Sequence, residues 1–123
     1  MTGKLNAVLA GGGRVGQITM YRLTEQGHDV TVIERDPDRC DELADEYQAT
    51  IVQGDATDPA ILEQANLEAT DVIGAATGQT GTNLAICLEA KELAPGIRTV
   101  ARVDRDAGKR YSRFADAVVY PEL

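Results

Sequence analysis

An apolar run that stops at three glycines and opens directly into a helical pattern constrains this chain more than any other feature. From Leu5 to Gly16 the sequence is Leu-Asn-Ala-Val-Leu-Ala-Gly-Gly-Gly-Arg-Val-Gly. Within it, Gly11, Gly13 and Gly16 have the spacing Gly-x-Gly-x-x-Gly, which between a strand and a helix is typical of a dinucleotide-binding turn. The helix that follows would present free N–H groups and the positive end of its dipole to phosphates.

Each residue of this turn has its own predicted role. Gly11 permits the tight turn, Gly13 lets the backbone approach a pyrophosphate, and Gly16 lets helix and strand pack closely. We interpret Arg14 as a phosphate contact, because a cation at a helix N-terminus opposes the dipole unless it serves an anion. A surface salt bridge is the alternative for Arg14, and Val15 completes the predicted site within the turn.

Apolar runs alternate with helical patterns along the whole chain, which predicts repeated strand–helix units and a parallel sheet. The predicted strands are Leu5–Ala10, Val30–Ile33, Ala49–Gln53, Asp71–Ala76, Arg98–Val103 and Ala117–Tyr120. The predicted helices are about 14–26, one from Asp36-Pro37, about 58–65, about 81–93, and 104–114 with Ala107, Tyr111 and Phe114 inward. We therefore expect a doubly wound, Rossmann-like α/β fold with a six-stranded, mainly parallel sheet and helices on both faces. At 123 residues, the chain fits one domain.

An acidic residue ends the second predicted strand. Glu34 lies 18 residues beyond Gly16, where a carboxylate accepts hydrogen bonds from the ribose hydroxyls of adenosine. Such a carboxylate repels a 2′-phosphate, so NAD, ATP or ADP is favoured over NADP. Because the neighbouring Arg35 could attract a 2′-phosphate, NADP is disfavoured but not excluded.

Further candidate residues follow the third, fourth and fifth strands. Asp55, with the Ala56 backbone beside it, could accept a hydrogen bond from the adenine amino group. The alternative is that Asp55 only shapes the turn before Asp58-Pro59. Thr77 and Gly78 would line the distal side of the cleft, and Arg102 either faces the cleft or pairs with acidic neighbours.

Composition and charge exclude several classes of function. A net charge of −8 repels nucleic acid and anionic membranes. Three lysines against nine arginines, with the acidic excess, resemble proteins of salt-loving organisms, although simple solubility explains acidity too. No apolar run reaches the ~20 residues needed to cross a bilayer, and no signal peptide is visible, so we expect a cytoplasmic location without membrane insertion. Cys40 and Cys87 are expected to be free buried thiols, and no metal site is predicted.

The chain lacks the residue sets that catalysis needs. It has no Tyr-x-x-x-Lys pair, no histidine near the predicted cleft, and neither a Ser/His/Asp set nor an activated cysteine. We therefore expect a binding domain and not an enzyme.

The helix at 81–93 carries two apolar stripes, Leu84-Cys87-Leu88 and Ile86-Ala90-Leu93, where a helix covering a sheet needs one. The second stripe suggests a partner, most simply another copy of the chain, unless its own domain buries it.

Five motifs in order carry a family resemblance: the glycine turn with Arg-Val, Gly27-His28-Asp29-Val30, Glu34-Arg35-Asp36-Pro37, Gly54-Asp55-Ala56-Thr57-Asp58 and Val100-Ala101-Arg102-Val103. Together they resemble the N-terminal RCK lobe, also called KTN or TrkA-N, the cytoplasmic regulator of potassium channels and Trk/Ktr transporters. The resemblance covers essentially the whole chain. It implies a Rossmann fold that binds NAD(H), ATP or ADP, dimerises and assembles into rings beneath a membrane pore.

The resemblance implicates the glycine turn with Arg14, then Glu34, Asp55-Ala56 and Thr77 in ligand binding. The chain departs from the family's usual pattern in two places. The family usually has acidic residues after the fourth strand, where this chain has Thr-Gly-Gln-Thr-Gly-Thr from Thr77. The crossover helix and C-terminal lobe that usually follow in the family are not expected within these residues.

We therefore expect a nucleotide-sensing regulator of an integral membrane potassium transporter or channel, acting as a homodimer or higher homo-oligomer. Two rival hypotheses remain open. One is the cofactor domain of a NAD-dependent oxidoreductase, and the other is an interaction module with a vestigial nucleotide site.

Overall fold

Six parallel strands form one sheet in the computed structural model, which describes residues 3–46, 49–105 and 108–120. The strands are β1 Asn6–Ala10, β2 Asp29–Glu34, β3 Thr50–Gln53, β4 Val72–Ala75, β5 Arg98–Arg102 and β6 Ala117–Val119. Their order across the sheet is β3-β2-β1-β4-β5-β6, and every neighbouring pair is parallel. The predicted Rossmann-like α/β fold is confirmed.

Within the described residues, four α-helices connect the strands: α1 Arg14–Glu25, α2 Pro37–Glu46, α3 Pro59–Gln64 and α4 Thr80–Leu93. The Asp-Pro pair at position 58 starts α3 as its sequence predicts, because the Asp58 side chain accepts from the Ala60 N–H and proline occupies the first turn. A short 3₁₀ helix, Leu67–Ala69, precedes β4. These helices lie on both faces of the sheet.

Two buried clusters fill the space between sheet and helices. The α1 and α2 face buries Leu9, Met20, Val30, Val32 and Leu43. The α3 and α4 face has the larger cluster, which includes Val8, Leu62, Ile73, Ile86 and Ala90. Neighbouring residues of β1 enter different clusters, which explains why this central parallel strand is apolar from Ala7 to Ala10.

The direction of the chain reverses beside β1. The first units run outward to β2 and β3, and the chain then crosses to β4 and continues to β5 and β6. Loops after β1 and β4 therefore diverge at the carboxyl edge of the sheet and leave a crevice between them. Ligands of open α/β sheets bind at such a switch point.

The last predicted helix is wrong in type. Residues Gly108–Phe114 form a 3₁₀ helix, not the α-helix predicted from Asp104. Tyr111 and Phe114 pack on the α4-side core as predicted, and Ala107 lies outside the described residues.

The prediction that the second stripe of α4 faces a partner is also wrong. Ile86 and Ala90 are buried at about 1% exposure or less, and Leu93 packs against the same core. The domain covers this stripe itself because α4 contacts β4, β5, α3 and both 3₁₀ helices. The exposed apolar residue of α4 is Leu88, from the first stripe.

Cys40 and Cys87 are both free and buried, as predicted. Burial raises the pKa of Cys87 to about 11, and burial also raises the pKa of Cys40, with Glu34 adding to the effect. Both thiols therefore stay protonated at neutral pH. Among the described residues, no helix is long and apolar enough to span a bilayer.

Candidate functional site

A cleft of about 740 Å³ opens at the carboxyl edge of the sheet, at the switch point between β1 and β4. It gathers residues from the ends of five strands and the first turns of helices. Of the predicted site residues it is lined by Gly11, Gly13, Arg14, Val15, Glu34, Arg35, Asp55, Ala56, Thr77, Gly78 and Arg102. Gly16 lies beneath the turn and does not line the cleft.

The three spaced glycines differ in what surrounds them. Gly11 has φ of +106°, and a Cβ there would lie 3.1 Å from the Thr77 nitrogen. A Cβ on Gly16 would overlap the carbonyl oxygen of Gly11, so the close packing predicted for Gly16 is confirmed. At Gly13 the nearest atom to a Cβ is Arg39 Nη1, 3.8 Å away. The turn is therefore closed beneath Gly11 and Gly16 and open above Gly13.

The N-terminus of α1 has no side-chain cap. Gly13 is the N-cap residue, and the first turn contains no acidic residue. In the described part of the chain, the N–H groups of Arg14, Val15 and Gly16 therefore lack a protein acceptor. By contrast, α3 is capped by Asp58. An anion in the cleft would complete the hydrogen bonding of α1 and meet the positive end of its dipole.

Glu34 braces the turn from below. Its Oε1 accepts from the Gly12 N–H at 2.7 Å and its Oε2 accepts from the Asp36 N–H at 2.8 Å. Glu34 as a residue is 8% exposed, and Arg39 Nη1 is 3.8 Å from Oε1. A carboxylate has about four acceptor positions, so ribose hydroxyls can still bind the same oxygens. Sequence reasoning missed this bracing function, which depends on β1 and β2 being neighbours.

Asp55 shapes the loop after β3. Its Oδ1 accepts from the Thr57 N–H at 2.9 Å and from the Thr57 hydroxyl at 2.7 Å. These hydrogen bonds, helped by the nearby Arg35, hold the pKa of Asp55 below its ordinary value. Asp55 is exposed and lines the cleft, so the turn-shaping role does not remove it from the site.

The side of the cleft opposite Glu34 consists of Thr77, Gly78 and Arg102, which we call the far wall. Thr77 and Gly78 follow β4, and Arg102 ends β5. Behind them lies Asn83 of α4, which is 1% exposed and hydrogen-bonded to both strand ends. Sequence reasoning missed Asn83, although a polar residue among the apolar positions of α4 was a signal.

The cleft has the opposite charge to the rest of the chain. In the part of the chain that the structure describes, four guanidinium groups line it, those of Arg14, Arg35, Arg39 and Arg102, against the two carboxylates of Glu34 and Asp55. The chain as a whole carries −8. Of the two alternatives for Arg102, the structure shows the one that faces the cleft. Among the described residues Arg14 makes no ion pair, which disfavours the surface salt bridge.

Comparison with known proteins identifies close likenesses. The TrkA-N domain family matches residues 7–121. The Trk system potassium uptake protein TrkA homolog of Pyrococcus abyssi is 36% identical over 94% of this chain and 54% of its own length. The chain thus spans about half the length of that curated relative.

Solved structures agree with this result. The TrkA-N domain of inner membrane protein ybaL from Escherichia coli has a TM-score of 0.86 and 28% identity, covering 98% of this chain and 90% of that chain. The GsuK RCK domain has a TM-score of 0.80 and 26% identity, covering 94% of this chain and 25% of that one. GsuK has also been solved bound to NAD and bound to ADP, each with a TM-score of 0.82 and 20% identity, which shows the shared fold. The chain therefore belongs to the TrkA-N domain family.

Proposed function

We propose that this chain is a nucleotide-sensing regulatory domain and not an enzyme. The observation that carries the proposal is the cationic cleft with its uncapped α1 N-terminus, on a chain whose net charge is −8. Such a cleft suits an anionic ligand with several phosphate oxygens. Its lining includes no histidine, cysteine, serine, lysine or tyrosine among the described residues, which supports binding without catalysis.

The ligand would be NAD(H), or else ATP or ADP. The phosphates would lie against Gly13 and the N–H groups of Arg14 and Val15. Glu34 would accept from ribose hydroxyls, and because its carboxylate is buried beside the turn it would disfavour the 2′-phosphate of NADP. The adenine would lie toward Asp55 and Ala56, and the rest of a dinucleotide toward the far wall.

The regulated process would be potassium transport. The P. abyssi relative is named as a potassium uptake protein, and GsuK is named as a channel. We propose that the domain acts in the cytoplasm as a homodimer or higher homo-oligomer beneath an integral membrane potassium transporter or channel subunit. A nucleotide would shift that assembly between two arrangements only by the difference in its affinity for them.

A thermal-shift panel of NAD, NADH, NADP, ATP and ADP tests the proposal. A ligand at 100 times its Kd stabilises the native state by about 2.7 kcal/mol, which raises Tm by about 10 °C for a domain of this size. We expect such a shift for at least one nucleotide without a 2′-phosphate, and a smaller one for NADP. No shift with any of the five would refute nucleotide sensing, and turnover of NADH with a small substrate would favour the oxidoreductase hypothesis.

A further inference from the structure

Asn83 is a buried polar side chain whose hydrogen-bonding capacity is fully used. Its Oδ1 accepts from the Thr77 N–H at 2.9 Å and from the Thr77 hydroxyl at 2.6 Å. Its Nδ2 donates to the Thr77 carbonyl at 3.1 Å and to the Arg102 carbonyl at 2.8 Å. A carboxamide has two donor hydrogens and two acceptor lone pairs, so every one is satisfied.

These bonds join two strand ends that are 25 residues apart in the sequence, from Thr77 to Arg102. Asn83 holds three polar groups of Thr77 at once and ties them to the last residue of β5. It is therefore the link that sets the far wall in place. The Thr77 nitrogen in turn lies 3.1 Å from the position of a Cβ on Gly11, so the far wall abuts the glycine turn.

Core packing alone does not call for asparagine here. The other buried side chains of α4 are Leu84, Ile86, Cys87 and Ala90, and an apolar residue at position 83 would avoid the desolvation of an amide. Buried polar groups that are completely hydrogen-bonded specify one arrangement of the backbone around them. The arrangement specified by Asn83 is that of the far wall.

The cleft has two halves, which lie on opposite sides of the glycine turn. Glu34 and Asp55 belong to the β2 and β3 half, and the far wall belongs to the β4 and β5 half. A dinucleotide lies across a switch point of this kind with one nucleoside in each half. A mononucleotide held by the turn and by Glu34 does not need the far wall.

We propose that Asn83 is a positioning residue for the second nucleoside of a dinucleotide, which it serves by fixing Thr77 and Arg102. This inference rests on the proposed nucleotide binding. Asn83 does not contact the ligand itself. It holds the far wall in the position in which that wall can contact the second nucleoside of the dinucleotide. Its loss therefore weakens binding of a dinucleotide and spares a mononucleotide.

The test compares the affinities of NADH and AMP, by calorimetric titration, for wild type, Asn83→Ala and Asn83→Asp. Aspartate retains the size of the side chain and the two hydrogen bonds that Oδ1 accepts, but it loses both donated bonds. The matched control is Cys87→Ala, one turn further along α4, which leaves a buried cavity without touching the far wall. We expect both Asn83 variants to bind NADH about tenfold more weakly and AMP within about twofold of wild type, while the control keeps both affinities.

Hydrogen exchange on the wild-type protein provides a readout that needs no variant. NADH should slow exchange of the Thr77 amide by about tenfold, whereas AMP should leave it unchanged, because only the second nucleoside of NADH would lie against the far wall. The inference would be overturned if the Asn83 variants lost affinity for NADH and AMP equally, or lost affinity for neither. The proposed function would be unaffected by either result. A wild-type protein that binds AMP as tightly as NADH would also overturn the inference. Failure to bind NADH would also overturn it, whereas the proposed function itself is refuted only if ATP and ADP fail to bind as well.

Discussion

Alanine substitutions at Gly13 and Gly16 should have opposite consequences, although the two glycines belong to one motif. At Gly16 the new methyl group would overlap the Gly11 carbonyl oxygen, and both groups belong to the backbone. No side-chain rotation can relieve that overlap, so α1 must move away from the end of β1. At Gly13 the backbone has φ of −74° and ψ of −169°, which any residue adopts, and the added carbon would meet only Arg39 Nη1 at 3.8 Å.

The magnitudes follow from these contacts. Overpacking a core costs about 1–3 kcal/mol, and a backbone overlap lies at the upper end, so Gly16→Ala should lose about 3 kcal/mol. For a domain of this size that loss lowers Tm by about 12 °C. At Gly13, alanine is the poorer N-cap by about 1 kcal/mol, but it also lowers the entropy of the unfolded chain by an equivalent of about 0.4–1 kcal/mol. The two terms nearly cancel.

Thermal melts and nucleotide titrations of both variants check this prediction. Gly13→Ala should melt within about 4 °C of wild type and bind NADH or ADP at least about tenfold more weakly, because its methyl group occupies the phosphate's approach to the backbone. Unchanged affinity of Gly13→Ala would exclude this turn as the phosphate site. A Gly16→Ala protein as stable as wild type would refute the packing argument.

Two further predictions concern groups outside the cleft. Asp116 joins β5 to the start of β6: its Oδ2 accepts from the Thr99 N–H at 2.9 Å and pairs with Lys91 Nζ at 3.0 Å. The hydrogen bond from the Thr99 backbone, and after it the interaction with Lys91, lowers the pKa of Asp116. The Asp116 carboxylate therefore stabilises the fold fully above the ordinary aspartate pKa, and this stabilisation is lost as the pH falls through the lower pKa of the folded state. Asp116→Asn should therefore lower Tm at pH 7 by roughly 4 °C, which is the equivalent of one net hydrogen bond. The difference in Tm from wild type should shrink as the pH is lowered toward 3, and a difference that stays constant with pH would contradict the assignment. The thiols of Cys40 and Cys87 should react with a disulfide reagent at pH 8 at least about a hundredfold faster in denaturant than in the native protein, because burial raises both pKa values; equal rates would show that they are accessible.

Much of the fold could be predicted because its signals are local. The Asp58-Pro59 pair starts a helix through bonds within a few residues, and the apolar run of β1 reflects burial on both faces. The 3₁₀ helix at Gly108–Phe114 could not be predicted in the same way, since its apolar spacing also suits an α-helix. The two stripes of α4 showed that the helix is apolar on two sides, but only the packing of α3 and the 3₁₀ helices decides what covers them.

The residues of the cleft likewise include some that the local sequence predicts and some that it does not. Strand ends carry Glu34, Asp55, Thr77 and Arg102 in the sequence, and parallel strands bring their carboxyl ends to one edge, so the lining of the cleft follows from the order of elements. Arg39 was missed because it lines the cleft from α2, where nothing in the local pattern distinguishes it from a solvated charge.

The glycine turn, the strand–helix alternation and the residues at the strand ends were determined by the sequence itself, because each depends on backbone conformation or on neighbours within a few positions. Only the tertiary structure decided the functions of Glu34 and Asn83. The Glu34 carboxylate holds the turn through Gly12, and the Asn83 amide joins Thr77 to Arg102. Both depend on which strands are neighbours, and that order is set by burial of the whole sheet between its two helical layers.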